Sequence, residues 1–138
     1  MSEVTIEGAW NGLYACAFHP SEVPPIHFEA TFEVPAPDGK FRGRIVDEGG
    51  IGEAEVTGNV VGRAIRFVKV YKRTMYRTPR PIHYEGTLSE DGLRLAGTWR
   101  IDMRWLGLIP VRTDGLWRAQ RPGLPEPPLN WPPAPQAG

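Results

Sequence analysis

Residues 41–72, FRGRIVDEGGIGEAEVTGNVVGRAIRFVKVYK, decide the fold. They contain three runs of alternating side chains, 41–47, 52–60 and 64–72, separated by two short segments that carry glycine. Glycine accepts the positive φ of tight hairpins, and the third run has the β-branched and aromatic residues that a pleated sheet favours. The stretch therefore predicts three consecutive antiparallel strands.

The alternating pattern continues on both sides of this stretch. Further runs predict strands at 6–18, 26–34, 82–88, 93–101 and 115–119. No window holds a helical apolar period, and the 16 glycines and 15 prolines fall largely between the runs. The pattern predicts an all-β fold, an eight-stranded antiparallel up-and-down β-barrel, because closure removes exposed sheet edges. An open sandwich of two sheets is the alternative, since alternation alone does not establish closure.

The C-terminal segment differs in composition from the rest of the chain. We predict a barrel domain at 1–121 and a Pro-rich tail at 122–138, with prolines at 122, 125, 127, 128, 132, 133 and 135. Such a segment favours polyproline II over strand or helix. Two interpretations remain open: a loosely attached tail, or one in which Trp131 packs onto the barrel or onto another subunit.

Composition limits the functional classes. The 16 basic and 16 acidic side chains balance, so the field that attracts nucleic acid or an anionic membrane is missing. Cys16 is the single cysteine, which excludes an internal disulfide and fits a reducing compartment. No apolar stretch approaches the roughly 20 residues of a membrane span, and the N-terminus lacks a signal-peptide pattern. We expect a cytoplasmic protein with no nucleic-acid or membrane partner.

Metal and cofactor chemistry find little support in the sequence. His19 falls in a predicted loop, whereas His27 and His83 fall on outward faces of strands. No histidine cluster with metal or haem spacing results. We therefore predict no metal site and no cofactor.

The connections predict which end of the barrel is open, because successive turns of a meander lie at alternate ends. The end that carries both termini collects the connections 34–40, 61–63 and 89–92, two of which are tight turns. The opposite end collects 19–25, 48–51, 73–80 and 102–113, three of which are long. Ligands enter small barrels past the longer loops, so we predict that the second end is the mouth.

Alternation also sorts side chains between the lumen and the surface. Most inward positions are apolar, as in an ordinary core. The inward polar residues, with two neighbouring tryptophans, are the predicted ligand-binding residues, Tyr14, Asp47, Lys69, Tyr71, Tyr84, Trp99 and Trp117. No catalytic residue is assigned.

Lys69 is the most informative of these residues. An inward lysine is costly unless a carboxylate lies beside it, and Asp47 is the predicted neighbour. Three interpretations remain open. The pair is purely structural; or Lys69 and the tyrosine hydroxyls bind a carboxylate or carbonyl of an otherwise apolar ligand; or Lys69 is a nucleophile or base whose pKa burial lowers.

Residues in the first strand and at the end of the last strand resemble those of a known superfamily. Gly8-Ala9-Trp10, together with Arg118 or Arg121, resembles the Gly-x-Trp and terminal arginine of the calycins, which include lipocalins, fatty-acid-binding proteins and avidins. The resemblance implies that Trp10 plugs the closed end of a barrel and that one of the two arginines lies across it.

Strands four to eight are similar to those of avidins. Residues 57–67, TGNVVGRAIRF, resemble the threonine-glycine, turn and Ile-x-Phe of that family, and residues 84–86, YEG, resemble its aromatic-x-glycine strand. By this resemblance Trp99 and Asp114 fall where a biotin-contacting tryptophan and aspartate would lie. Asn11 directly follows Trp10 instead of standing two residues after it, and Lys69 adds a charge to the lumen. The resemblance implies shared architecture without biotin binding.

Three functional classes follow from these predictions. The first is a binding protein for a small apolar or amphipathic molecule, of lipocalin-like type. The second is a barrel enzyme, an isomerase, cyclase or hydrolase that uses Lys69, Asp47 and the tyrosines. The third is an interaction module or homo-oligomer that associates through an apolar loop around Trp105.

Overall fold

The computed structural model describes residues 5–16, 25–48, 52–72, 81–105 and 109–125. At position 16 and in 102–105 and 109–113 the description covers the backbone alone. Eight strands form: β1 Gly8–Cys16, β2 Ile26–Phe32, β3 Lys40–Asp47, β4 Gly52–Val61, β5 Ala64–Tyr71, β6 Ile82–Leu88, β7 Arg94–Trp105 and β8 Ile109–Gln120.

The strands close into a barrel in which each strand pairs antiparallel with the next along the chain. β1 also pairs with β8, in a register that runs from Asn11 opposite Gln120 to Cys16 opposite Gly115. The predicted eight-stranded up-and-down barrel is confirmed, and the open sandwich is wrong. Closure gives both terminal strands a partner, which an open meander would leave with unpaired backbone groups.

The connection between β7 and β8 differs from the prediction. The segment 102–113 was expected to be a long loop, but β7 continues to Trp105 and β8 begins at Ile109, in register as a two-stranded ribbon. Trp105 therefore lies on a strand and not in a loop. Pro110 lies opposite Arg104 in this ribbon, and sheets tolerate proline at edge positions.

The closed end of the barrel is built around Trp10. Its indole N–H donates to the carbonyl of Ile6 at 2.8 Å, and the Arg121 guanidinium lies 4.0 Å from the ring centroid. The same guanidinium donates to the carbonyls of Thr5, Glu7 and Ala9. The predicted floor contact is thus made by Arg121. Arg118, the other candidate, falls at an outward position of β8.

Aromatic rings fill the lumen above this floor. Phe67 contacts the rings of Phe32 and Phe41 and stacks on Tyr84, with centroids 4.7 Å apart. Trp117 packs edge-on against both Phe67 and Tyr84. Interiors of this kind are close-packed, and each buried ring removes a large apolar area from water. This half of the barrel is a hydrophobic core.

Two opposed glycines make space for Trp117. Gly86 on β6 pairs with Gly97 on β7, and a Cβ at Gly86 would lie 2.7 Å from the indole ring. A Cβ at Gly97 would lie 1.8 Å from the backbone oxygen of Glu85. Both positions therefore require glycine because of close approach by neighbouring atoms.

The chain turns back after β8. The Gln120 side-chain amide donates to the carbonyls of Leu124 and Pro125, which holds the first residues of the tail against the end of the strand. Trp131, the predicted contact of the tail, lies outside the described residues. Within the described ranges, no helix has the length and hydropathy needed to cross a bilayer.

Candidate functional site

The candidate site occupies the half of the barrel opposite the Trp10 floor. Asp47 is the last residue of β3, and Lys69 and Tyr71 lie near the end of β5. β4 separates these strands and presents only Gly52 opposite Asp47 and Ala54 opposite Tyr71. Because these two residues have little or no side chain, the longer side chains on either side meet across β4.

Lys69 and Asp47 form a buried ion pair, as the sequence predicts. Lys69 Nζ lies 3.3 Å from Asp47 Oδ2, and the two residues are 0% and 4% exposed. The Tyr71 hydroxyl donates to the same carboxylate oxygen. Burying either charge alone would be costly, and the pair with its added hydrogen bond offsets that cost.

Three tyrosine rings surround the Lys69 ammonium. Nζ lies 4.7 Å from the ring centroid of Tyr14, 4.9 Å from that of Tyr71 and 5.4 Å from that of Tyr84. The negative face of each ring attracts a cation, and the attraction grows where water is excluded. Tyr14, Asp47, Lys69, Tyr71 and Tyr84 therefore form one contiguous group, which we call the Lys69 cluster.

The polar groups of the Lys69 cluster are incompletely paired. Asp47 Oδ2 is the single oxygen of the described residues that accepts a hydrogen bond from Lys69 Nζ, although an ammonium has three N–H donors. The other carboxylate oxygen, Asp47 Oδ1, is buried and has no hydrogen-bond partner in the part of the chain that the structure describes. Buried polar atoms are seldom left in this condition, so the cluster has capacity for an additional polar group.

Burial changes the protonation equilibria of the cluster. Loss of solvation lowers the pKa of Lys69, and the charge and hydrogen bond of Asp47 oppose that change without cancelling it. Burial raises the pKa of Tyr71, with a further increase from its hydrogen bond to Asp47. Burial also raises the pKa of Tyr84 well above its usual range. Both phenols consequently stay neutral at physiological pH, and Tyr71 acts as a donor.

The two tryptophans of the predicted site have different positions. Trp99 lies edge-on to Tyr14, 6.0 Å between centroids, and its indole N–H donates to the backbone oxygen of Ala15. Trp117 lies deeper, where its N–H donates to the carbonyls of Glu85 and Thr98. Trp99 therefore adjoins the Lys69 cluster, whereas Trp117 joins the hydrophobic core beneath it.

Tyr14 and Tyr71 are the members of the Lys69 cluster nearest the surface. These two tyrosines are partly exposed, whereas Asp47, Lys69 and Tyr84 are buried. The segments predicted to form the mouth, 19–25, 48–51 and 73–80, lie almost entirely outside the described residues.

Asp114 does not join the lumen. Asp114 lies opposite Arg100 in the β7–β8 register, and Arg100 lies opposite His83 in the β6–β7 register. These residues line a cleft of about 400 Å³ on the outer face of β6, β7 and β8. The expected correspondence to a biotin-contacting aspartate is therefore wrong, because Asp114 has the opposite parity to Trp99 and Trp117. Parity along β8 was a sufficient signal to find this difference.

Comparisons with known proteins do not identify the chain. No protein-family model, no curated protein and no solved structure matches it. The closed antiparallel barrel is compatible with a calycin-like architecture. In the described part of the chain, no group of three or more His, Cys, Asp or Glu side chains is placed to hold a metal ion.

Proposed function

We propose that the protein binds a small apolar or amphipathic molecule in the mouth half of the barrel, as a carrier of lipocalin-like type. The ligand's polar end contacts the Lys69 cluster, and its apolar body lies toward the mouth beside Trp99. Binding sites of this kind combine an apolar wall with a few converging polar groups.

The unpartnered oxygen of Asp47 carries the proposal. A purely structural ion pair gains most when each lone pair and proton finds a partner, because the desolvation of both charges must be offset. Here one carboxylate oxygen is buried without a donor among the described residues, in a cluster that includes two partly exposed tyrosines. A ligand that donates a hydrogen bond to Asp47 Oδ1 would complete the group.

Native mass spectrometry of the gently purified protein tests the proposal. We expect a small molecule bound at one per chain, released when the protein is denatured. The matched control is the double variant Asp47→Asn/Lys69→Met, which removes both charges while keeping similar side-chain volumes. This variant should bind the ligand at least about tenfold more weakly, which corresponds to a loss of about 1.4 kcal/mol in binding free energy.

A second experiment is needed because a weakly bound ligand is lost during purification. Oleate, retinol and cinnamyl alcohol, added separately, represent the expected chemical classes, and binding of any of them should raise the Tm. A protein that carries no small molecule and whose Tm none of the three raises would overturn the proposal.

Self-association is a second candidate function, favoured by the β7–β8 ribbon. In the described ranges, residues 101–105 of β7 and 109–113 of β8 pair with each other and with no third strand. Such edges offer backbone donors and acceptors to another chain. Sedimentation analysis should then give a dimer or larger species, and a monomer at high concentration would refute this candidate.

A further inference from the structure

We propose that Lys69 holds a carbonyl ligand covalently, as an imine formed between its side-chain nitrogen and an aldehyde or ketone. The proposal rests on the proposed function and specifies the chemical class of the ligand at the same site. It is argued from the surroundings of Lys69 Nζ: one carboxylate oxygen, three aromatic faces and no other hydrogen-bond acceptor among the described residues.

These surroundings suit a protonated imine better than a free ammonium. An ammonium has three N–H donors, and Asp47 Oδ2 satisfies one of them. A protonated imine has a single N–H, which the same oxygen accepts, while its delocalised positive charge keeps the attraction to the tyrosine rings. The single acceptor oxygen beside Nζ thus matches the single N–H of a protonated imine.

The cluster also contains the groups that proton transfer requires. The neutral amine of Lys69 attacks the carbonyl carbon, a C–N bond forms, and a proton moves from nitrogen to the former carbonyl oxygen. Asp47 Oδ1, which has no donor among the described residues, carries that proton from nitrogen to oxygen. A second proton, equivalent to the one that the Lys69 ammonium released to solvent in becoming the neutral amine, is taken up by the hydroxyl, which leaves as water. The product is the protonated imine, and no oxidant or reductant is consumed.

Burial supports the first step. Only the neutral amine is a nucleophile, and desolvation lowers the pKa of Lys69. The neighbouring phenols of Tyr71 and Tyr84 stay protonated, so they do not place further negative charge beside the nitrogen. Tyr14 and Tyr71 are the two partly exposed rings over Nζ, and displacement of these rings opens the path for the carbonyl.

Reductive trapping tests the proposal with controls inside the same chain. The protein contains three lysines, and the side chains of Lys40 and Lys72 are 78% and 46% exposed. Cinnamaldehyde with cyanoborohydride at neutral pH converts any imine to a stable amine, which peptide mass spectrometry locates. We expect cinnamaldehyde to label Lys69 faster than Lys40 or Lys72, because burial lowers the pKa of Lys69 and so raises its fraction of neutral amine.

One variant and one analogue make the outcome decisive. Lys69→Arg should abolish the adduct at that position and leave labelling of Lys40 and Lys72 unchanged. Labelling of wild type confined to Lys40, Lys72 and the amino terminus would overturn the inference. Cinnamyl alcohol, which cannot condense, separates the two proposals: a rise in Tm with the alcohol but no trapping of the aldehyde would leave the proposed function standing without the imine.

Discussion

Lys69 and Asp47 are the buried charged side chains of the described residues, and each depends on the other. Removing one partner of such a pair typically costs about 3 to 5 kcal/mol, because the remaining charge stays buried without compensation. This is why the control for ligand binding replaces both residues together. The pair also orients Tyr71, whose hydroxyl donates to Asp47 Oδ2.

The buried tyrosines make stability depend on alkaline pH. The pKa values of Tyr71 and Tyr84 are raised in the folded protein, so these phenols keep their protons where an unfolded tyrosine ionises, above about pH 10. Above that pH the native state binds more protons, and the free energy of unfolding falls as pH rises. Lys69 acts in the opposite direction, since its lowered pKa makes stability rise with pH up to its ordinary value of 10.5, and has no effect beyond it.

Tyr84→Phe tests this linkage. The variant removes one ionising group from the unfolded state, so above about pH 10 its stability should fall less steeply, by about 1.4 kcal/mol per pH unit at most. Urea unfolding at a series of pH values, with tyrosinate absorbance recorded on the native protein, measures the difference. If wild type and variant lose stability in parallel across the alkaline range, Tyr84 is not protected as its burial implies.

Part of the site could be predicted from single residues and part could not. Parity placed Lys69 and Asp47 inside, and the cost of burying an unpaired lysine predicted their pairing, which the structure confirms. The ring distances around Nζ and the unpartnered Asp47 Oδ1 depend on the stagger between strands β1, β3, β5 and β6. No local pattern encodes that stagger, because it is set by closure of the whole barrel.

At the level of strands, the contact of β6 with β7 depends on Gly86 and Gly97. A Cβ at Gly97 would meet backbone atoms of Glu85 and Gly86, which cannot move unless the two strands separate. By contrast, Gly62 stands in the β4–β5 turn with φ of +59° and nothing near its missing Cβ. One glycine is required by close packing and the other by backbone conformation.

Alanine at these two positions should therefore differ in effect. Gly97→Ala should lower the free energy of unfolding by about 3 kcal/mol or more, since backbone must shift to admit the methyl group. Gly62→Ala should lower it by about 1 to 2 kcal/mol, the cost of a left-handed conformation for a residue with a Cβ. Urea denaturation of both variants measures the contrast, and equal losses would show that β6 and β7 are less closely packed here than described.

The β7–β8 ribbon shows how pairing overrides local signals. The segment 102–113 is predicted as a connection, yet Asp102, Arg104 and Pro110 each lie on a strand of the antiparallel register. A strand whose partner is supplied by an adjacent hairpin tolerates residues of low intrinsic β-propensity. The boundaries of the other strands, which have turn residues at both ends, lie close to those predicted.

For the whole molecule, the closing contact between first and last strands is completed by Arg121. Its guanidinium covers Trp10 and donates to three backbone carbonyls that precede or begin β1. Charge-assisted hydrogen bonds of this kind are each worth more than neutral ones. The division between a barrel domain at 1–121 and a tail at 122–138 remains a prediction that this contact makes testable.

Truncation checks the division. A chain ending at Pro125, which keeps the turn held by Gln120, should retain the unfolding temperature of the full-length protein to within a few degrees. A chain ending at Ala119 loses Gln120 and Arg121 and should be less stable by about 2 to 4 kcal/mol. Thermal unfolding followed by circular dichroism compares them. Unfolding of the first truncation would mean that residues 126–138 belong to the fold.

The sequence by itself determined the strand order and the inward and outward faces, because each follows from alternation along one strand or from turns between neighbours. The cost of burying an unpaired lysine indicated Asp47 as the partner of Lys69, and the Trp10 plug was implied by the resemblance to calycins. Closure, the choice of Arg121 over Arg118, the extended β7–β8 ribbon, the outward position of Asp114 and the tyrosine faces around Lys69 were decided by tertiary structure. These features depend on contacts between residues far apart in the chain, and their geometry is fixed only when β8 pairs with β1 and sets the stagger of every strand between them.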